Sequence, residues 1–296
     1  MKSIKKIVIS ASRRTDIPAF YMKDFMKAIH RGFFRVTNPF NQKESLVMAT
    51  PDKVHTIVFW SKDYTNFLKG PFIKSLRDFG YNLFFNYTIN SRDYLLEPCL
   101  PGLEHRLTQL ETLAGIVGPD AIFWRFDPIC FYRGEDGKIC HNRSDFLKIA
   151  DVASDLGIQT CITSFLDIYR KVQKRLSCVP GFSFLDPPIE NKIKILLEMA
   201  QELKKRNINL LTCCEKQILE SIPPDSGIKA SSCIPNHYLA KLYGPNVSLK
   251  KDTGQRIKFG CGCRSSVDVG SYRHQPCYHN CLFCYANPDG IGNKSK

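Results

Sequence analysis

The sequence has no run of about 18 apolar residues, the length a membrane-spanning helix needs, so no segment of the 296 residues is expected to cross a bilayer. The first apolar run, in MKSIKKIVISASRRTD, stops after Ile9. That is short for a secretory leader, whose hydrophobic region spans about 7–15 residues, and a cytoplasmic location is expected. No G-x-G-x-x-G follows the first apolar run, which argues against a dinucleotide fingerprint. There is no internal repeat and no low-complexity linker. Acidic residues are scarce, 28 against 42 Lys and Arg, for a net charge of +14. Such charge suits nucleic acid, acidic substrates or an anionic cofactor. The basic residues are dispersed, however. KKRN (Lys204–Asn207) and KVQKRL (Lys171–Leu176) read as solvated helix faces, so nucleic-acid binding is permitted rather than indicated.

Cysteine is abundant, with 13 residues. In a cytosolic chain clustered cysteines point to metal or redox chemistry rather than disulfides. Cys99, Cys130, Cys140, Cys161 and Cys178 are scattered and read as small buried hydrophobes. Cys213, Cys214, Cys233, Cys261, Cys263, Cys277, Cys281 and Cys284 crowd the last third.

The first two-thirds alternates short apolar runs with amphipathic stretches. KIVISAS, VHTIVFWS, NLFFNYTIN, AIFWRFDPI, IQTCITSFL and INLLTCCE read as strands. YMKDFMKAIHRG, TNFLKGPFIKSLRDFG, GLEHRLTQLETLAGIVG, SDFLKIADVASDLG (with Ser144 as N-cap) and IENKIKILLEMAQELKKRN read as the helices between them. RVTNPFNQKESLVMAT (Arg35–Thr50) reads as an inserted hairpin. Continuous apolar strands alternating with helices argue a parallel sheet buried on both faces. The expected fold is α/β, a full or partial (β/α) barrel, with an open doubly wound sheet as the alternative. Residues 1–225 are expected to form the barrel core. Residues 226–296 are expected to form a cysteine-rich, metal-binding segment whose tail closes over the barrel mouth.

Barrel chemistry sits at the C-terminal ends of strands. Here those ends carry Ser10, Ser12, Arg13, Arg14 and Asp16; Trp60, Ser61 and Lys62; Glu97; Arg125 and Asp127; Ser164 and Asp167; and Cys213, Cys214 and Glu215. Each alone has an ordinary explanation, Arg125 with Asp127 reading equally as a structural ion pair. Polar groups at the same end of six strands suggest a charged pocket.

QPCYHNCLFCYAN (Gln275–Asn287) holds Cys277, Cys281 and Cys284 in a C-x3-C-x2-C array, with Tyr285 after the third. A structural zinc takes four ligands, leaving this array one short. A [4Fe–4S] cluster held by three thiolates keeps one iron open to an outside ligand. The array resembles that of the radical S-adenosylmethionine superfamily, and its Tyr285-Ala286-Asn287 tail is similar to relatives of spore photoproduct lyase. Those proteins use a partial β/α barrel and carry the motif after the first strand, whereas here it follows all six. A wider resemblance is to the domain-of-unknown-function family eighteen forty-eight, held to be iron–sulfur proteins. It runs through SASRRTDIPAFY, NPFN, VFWSKD, YTIN with LEPCLP, WRFDPI, TCCE, QRIKFGCGCRSSVDVGSY and CYHNCLFCYAN.

The resemblance implies an enzyme that reductively cleaves S-adenosylmethionine at a cluster on Cys277, Cys281 and Cys284. Ser10, Arg13, Arg14, Asp16, Trp60, Ser61 and Tyr285 are then the expected cofactor contacts. Lys62, Arg125, Asp127 and Glu215 are the expected catalytic groups. Cys214, Cys233, Cys261 and Cys263 suit a second site, an auxiliary [4Fe–4S] cluster or a zinc, and the glycines of FGCGCRS let backbone approach it. Cys213 competes with Cys214, since strand neighbours face opposite ways. His279 reads as a surface histidine near the cluster, and Asp268 with Tyr272 as a brace for the tail or a plain loop. The implied partners are a small-molecule or nucleotide-like substrate and an electron donor such as flavodoxin or ferredoxin. The alternatives are a zinc- or iron–sulfur-binding module that docks on nucleic acid, or an electron-transfer protein that never meets S-adenosylmethionine.

Overall fold

A computed structural model describes residues 5–39, 41–176 and 179–286. Eight strands form one parallel sheet: β1 (Ile7–Ala11), β2 (Val54–Ser61), β3 (Asn82–Thr88), β4 (Ile122–Ile129), β5 (Thr160–Phe165), β6 (Asn209–Thr212), β7 (Lys229–Ala230) and β8 (Val267–Asp268). The order is β7-β6-β5-β4-β3-β2-β1-β8. From β1 to β7 each strand is laid beside its predecessor. A doubly wound sheet instead reverses direction at a switch point, so that alternative is set aside. The last strand, β8, returns to the far side of β1, pairing Ile9 with Val267 and Ser10 with Asp268. The expected hairpin is present as Phe33–Thr37 paired antiparallel with Glu44–Met48.

Strand side chains alternate between faces. Ile9, Ile57, Phe59, Phe85, Trp124 and Cys161 point to one face. There they pack with Phe25 of helix α1 (Met22–Arg31), Leu110 of α2 (Leu103–Val117), Ile149 of α3 (Phe146–Asp155) and Leu196 of α4 (Ile189–Lys204). Their neighbours Val8, Val58, Phe84, Phe123 and Ile162 point the other way, against Cys233, Ile234, Leu239, Val247 and Cys263. Both rows are apolar because both faces are covered: one by the crossover helices, the other by residues from the late, cysteine-rich part of the chain. Each large side chain so buried contributes about 1.5–3 kcal/mol.

Three local expectations change. TNFLKGPFIKSLRDFG forms two short helices, Thr65–Lys69 and Phe72–Asp78, rather than one. Pro71 has no N–H to give and pushes the preceding residue out of helical conformation, and Gly70 is extended at ψ 167°. Helix α3 starts at Phe146 with Asp145, not Ser144, at its cap position. KVQKRL lies in a helix (Arg170–Leu176), but Val172 and Arg175 are buried, so that face is not solvated. Among the described residues no helix is long and apolar enough to cross a membrane.

Candidate functional site

The chain leaves β1 into Ser12–Asp16, where two carboxylates organise the site. Asp268, on β8, accepts hydrogen bonds from Ser10 Oγ (3.0 Å), Ser12 Oγ (2.7 Å), Arg13 N (2.7 Å) and Gly270 N (3.0 Å). Gly270 is required here, since a Cβ would lie 2.0 Å from Ser12 Oγ. The Arg13 and Arg14 Nε atoms stand 3.7 and 3.9 Å from the same carboxylate. Arg13 also donates to Ser266 Oγ at 3.1 Å and Arg14 to Gly270 O at 3.1 Å. Ser10, Arg13 and Arg14, expected as cofactor contacts, thus hold the late segment against the first strand. Asp268 is the brace.

Asp16 caps the short helix Ile17–Phe20 through Ala19 N (3.0 Å). It also accepts from Ser61 Oγ (2.8 Å) and Lys62 N (2.9 Å) at the end of β2. Its fourth partner is His279 Nε2 at 2.9 Å. His279 is therefore buried, 3% exposed, rather than a surface residue. Asp16 joins the ends of β1 and β2 to the cysteine array.

The array is fixed further by bonds from Tyr21 Oη to Pro276 O (2.6 Å) and from Tyr285 Oη to Arg13 O (3.1 Å). Leu282 N donates to Leu96 O at 2.9 Å, which ties the array to the loop after β3. Cys284 N donates to Cys281 O at 3.1 Å and closes the turn. Buried Arg175 donates to Cys281 O (3.1 Å), Leu282 O (2.7 Å) and Cys284 O (2.9 Å), a role its place in a run of basic residues conceals.

Cys281 is buried, and Cys277 and Cys284 are half-buried. Burial pushes the Cys277 thiol up to about 12, with Asp16 and Cys284 adding to the rise. Burial likewise raises Cys281, with Glu97 and the two other array thiols adding and Lys62 opposing. Three soft donors on one short loop, one buried and two half-buried, suit a group that would be bound as thiolates. Beside them, Lys62 Nζ pairs with buried Glu97 Oε1 at 2.6 Å. Among the described residues, no three His, Cys, Asp or Glu side chains surround a point where a single metal ion would sit.

A second group of thiols lies past β6. That strand stops at Thr212, and Cys214 has a left-handed backbone (φ 63°), so strand alternation does not apply to Cys213 and Cys214. Their Sγ atoms are 3.8 Å apart, and Cys213 Sγ is 3.5 Å from Cys233 Sγ. Thiol hydrogen bonds also link Cys214 to Cys261, and Cys263 to both Cys233 and Cys261. Cys213 and Cys214 both join the group. Hydrogen bonds from Cys213 and Cys263 pull Cys233 well below its ordinary pKa, and Arg125 helps. Hydrogen bonds from Cys214 and Cys263 pull Cys261 to about 3. Gly262 lets the two cysteines flank a close approach, since its Cβ would stand 2.4 Å from Ser231 O.

Arg125, on β4, donates to Cys233 Sγ at 3.0 Å and pairs with Asp127. Its guanidinium lies 5.3 Å from the Trp60 ring centre. Glu215 accepts from Phe165 N at 2.7 Å, and burial raises its carboxyl to about 7. It lines a cleft of about 180 Å³ with Asp167, Asp186 and Lys192, and two other lining residues, Leu166 and Ile168, pack against the cluster that holds Cys281. Of the scattered cysteines, Cys130 and Cys161 are buried as expected, Cys140 is half-buried and Cys99 is exposed. Cys178 and Asn287 lie outside the described residues.

The fold and site together define a parallel α/β protein with two thiol-rich groups. The chain belongs to the family described as Domain of unknown function (DUF1848), whose model matches residues 8–286. No curated protein matches it. Among solved structures, "Crystal structure of D-hydantoinase" is similar at a TM-score of 0.31 and 10% identity, over 78% of this chain and 61% of that one. The chain thus spans about six-tenths of that structure's length, a likeness that carries no argument.

Proposed function

We propose that this chain is an iron–sulfur enzyme of the radical S-adenosylmethionine type, with a [4Fe–4S] cluster on Cys277, Cys281 and Cys284. One observation carries most weight. The array comes late in the sequence, yet it is seated on the residues that follow β1, through Asp16–His279 (2.9 Å) and Tyr285–Arg13 (3.1 Å). That is the place in the fold where the superfamily it resembles carries the motif. The donor set is also suitable: three thiols, with no carboxylate among them, on a loop whose carbonyls Arg175 holds.

When bound, such a cluster supplies one electron for cleaving the sulfonium carbon–sulfur bond of S-adenosylmethionine. The chain's own residues would bind, orient and balance charge. Asp16 fixes His279 and the backbone of Lys62. Lys62 and Glu97 place a buried charge pair beside Cys281. Glu215, near neutrality in its pKa, is suited to move a proton in the cleft it shares with Asp167 and Lys192. In this proposal the sheet curls into a partial barrel and the late segment, described from 226 to 286, closes its mouth. The five-thiol group would hold an auxiliary cluster or a zinc. Its sulfur separations of 3.5 and 3.8 Å are close to the edge of about 3.8 Å expected for thiolates about 2.3 Å from zinc. Side-chain rotation would be needed to turn that chain of hydrogen bonds into a shell. A small-molecule or nucleotide-like substrate and a flavodoxin- or ferredoxin-like electron donor complete the proposal.

The test is electron paramagnetic resonance on anaerobically purified, dithionite-reduced protein, with and without S-adenosylmethionine, and with iron and zinc quantified. A reduced [4Fe–4S] signal that changes shape with the cofactor, and is lost in Cys281→Ala, is expected. Zinc without iron after reconstitution would overturn the proposal in favour of a zinc-binding module.

A further inference from the structure

Arg106 has no task in the proposed chemistry. It sits at the end of the first turn of α2 and is 0% exposed. None of its three guanidinium nitrogens has a hydrogen-bond partner among the described residues. A guanidinium stays charged in proteins and offers five N–H donors. Leaving such a charge buried and unpaired is strongly unfavourable. The other buried arginines of the site are provided for. Arg125 has Asp127 and Cys233, and Arg175 has three carbonyls.

Its surroundings say what kind of partner fits. Burial pulls the Arg106 pKa down, while Glu97, Tyr87 and Cys281 act to raise it and Arg92 opposes them. Glu97 is the one carboxylate in that set, and Lys62 already occupies it at 2.6 Å. Lys62, Glu97 and Arg106 therefore leave one positive charge uncompensated beside the array, where Lys62 Nζ lies 5.2 Å from the Phe283 ring centre and Leu282 N bonds Leu96 O, next to Glu97, at 2.9 Å. Complete burial argues against a diffusible substrate anion and for a resident one.

We propose that Arg106 compensates the negative charge of an iron–sulfur centre on Cys277, Cys281 and Cys284, and that with Lys62 it makes reduction of that centre easier. This rests on the cluster proposed under the function. A [4Fe–4S] core held by three thiolates is anionic when oxidised and more so when reduced, so a fixed cation stabilises the reduced state more. Arg106 is a positioning and charge-balancing residue, not one that touches substrate.

The experiment is a redox titration followed by electron paramagnetic resonance on reconstituted full-length protein, comparing wild type, Arg106→Met and Arg106→Lys, with iron quantified in each. Arg106→Met should load iron but shift its one-electron equilibrium at least tenfold toward the oxidised state, about 59 mV more negative. Arg106→Lys should stay near wild type. An unshifted potential in iron-loaded Arg106→Met would overturn the inference. Cluster-free protein supplies an independent readout. There Arg106→Met removes an unpaired buried charge and should be at least as stable to urea as wild type. A variant that is less stable, or fails to fold, without the cluster would show that Arg106 has a protein partner and would also overturn the inference. If wild type takes up no iron, the proposed function itself fails, an outcome separable from both of these.

Discussion

Asp268→Ala tests how the late segment is anchored to the first strand. The carboxylate accepts four hydrogen bonds, from Ser10, Ser12, Arg13 N and Gly270 N, at 2.7–3.0 Å. It also faces Arg13 and Arg14 at 3.7 and 3.9 Å. Truncation strands those donors, and each unsatisfied buried group costs about 1–3 kcal/mol. The full sum is not expected. The hydroxyls of Ser10 and Ser12 can rotate, and a two-residue strand at the sheet edge admits water once its side chain is gone. Breaking a buried ion pair from one side typically costs about 3–5 kcal/mol, and that is the expected loss. Urea unfolding should show it as a lower midpoint with an unchanged slope. Asp268→Asn keeps the shape and one acceptor oxygen but loses the charge, and should fall between Asp268→Ala and wild type. A variant within about 1 kcal/mol of wild type would refute the anchoring role, because surface substitutions routinely fall in that range.

Two further outcomes are expected. Burial raises Glu215 to about 7 from 4.5, so between those values the folded state keeps a proton that the unfolded state loses. Stability should therefore fall as pH rises through that window, by on the order of 2–3 kcal/mol in all. Glu215→Gln should flatten the dependence of the urea midpoint on pH, and an unchanged slope would count against the buried carboxyl. Gly262→Ala places a Cβ 2.4 Å from Ser231 O, so backbone must move. A loss of about 1–3 kcal/mol is expected in thermal unfolding, with faster thiol reaction at Cys261.

Much of the fold was legible because the strands are buried on both faces. Their continuous apolar runs, such as VHTIVFWS, identify β2 without any alternation to read. Glycine-ended helices were equally plain, and α1 stops at Gly32 with φ 81°. Three kinds of feature were not legible. Strands β7 and β8 are two residues long, too short for any period, and exist because β6 and β1 offer them edges. The end of β6 was placed too late, and with it the geometry of Cys213 and Cys214, because a left-handed residue inside an apolar run leaves no compositional mark. The burial of His279 and Arg175 depends on contacts more than 100 residues away along the chain. Arg106 is the extreme case: on a helix surface it would be an ordinary helix former, and only tertiary packing makes it a buried charge.

Two of the late cysteines belong to the sheet's packing as well as to a thiol group. Cys233 and Cys263 are buried with Val8, Phe84, Phe123 and Leu239, whereas Cys214 and Cys261 are only half-buried. Replacing Cys233 or Cys263 therefore removes a sulfur from the core, and at Cys233 it also takes the acceptor from buried Arg125, 3.0 Å away. Loss of activity in those variants would not separate a metal ligand from a packing residue that holds an ion pair in place. Cys214 and Cys261 pair with each other at the margin of that core, and serine there keeps size while removing the soft donor. Metal lost at Cys214→Ser with folding intact would then report on coordination, because Cys214 lies outside the cluster under the sheet, against which Cys261 still packs.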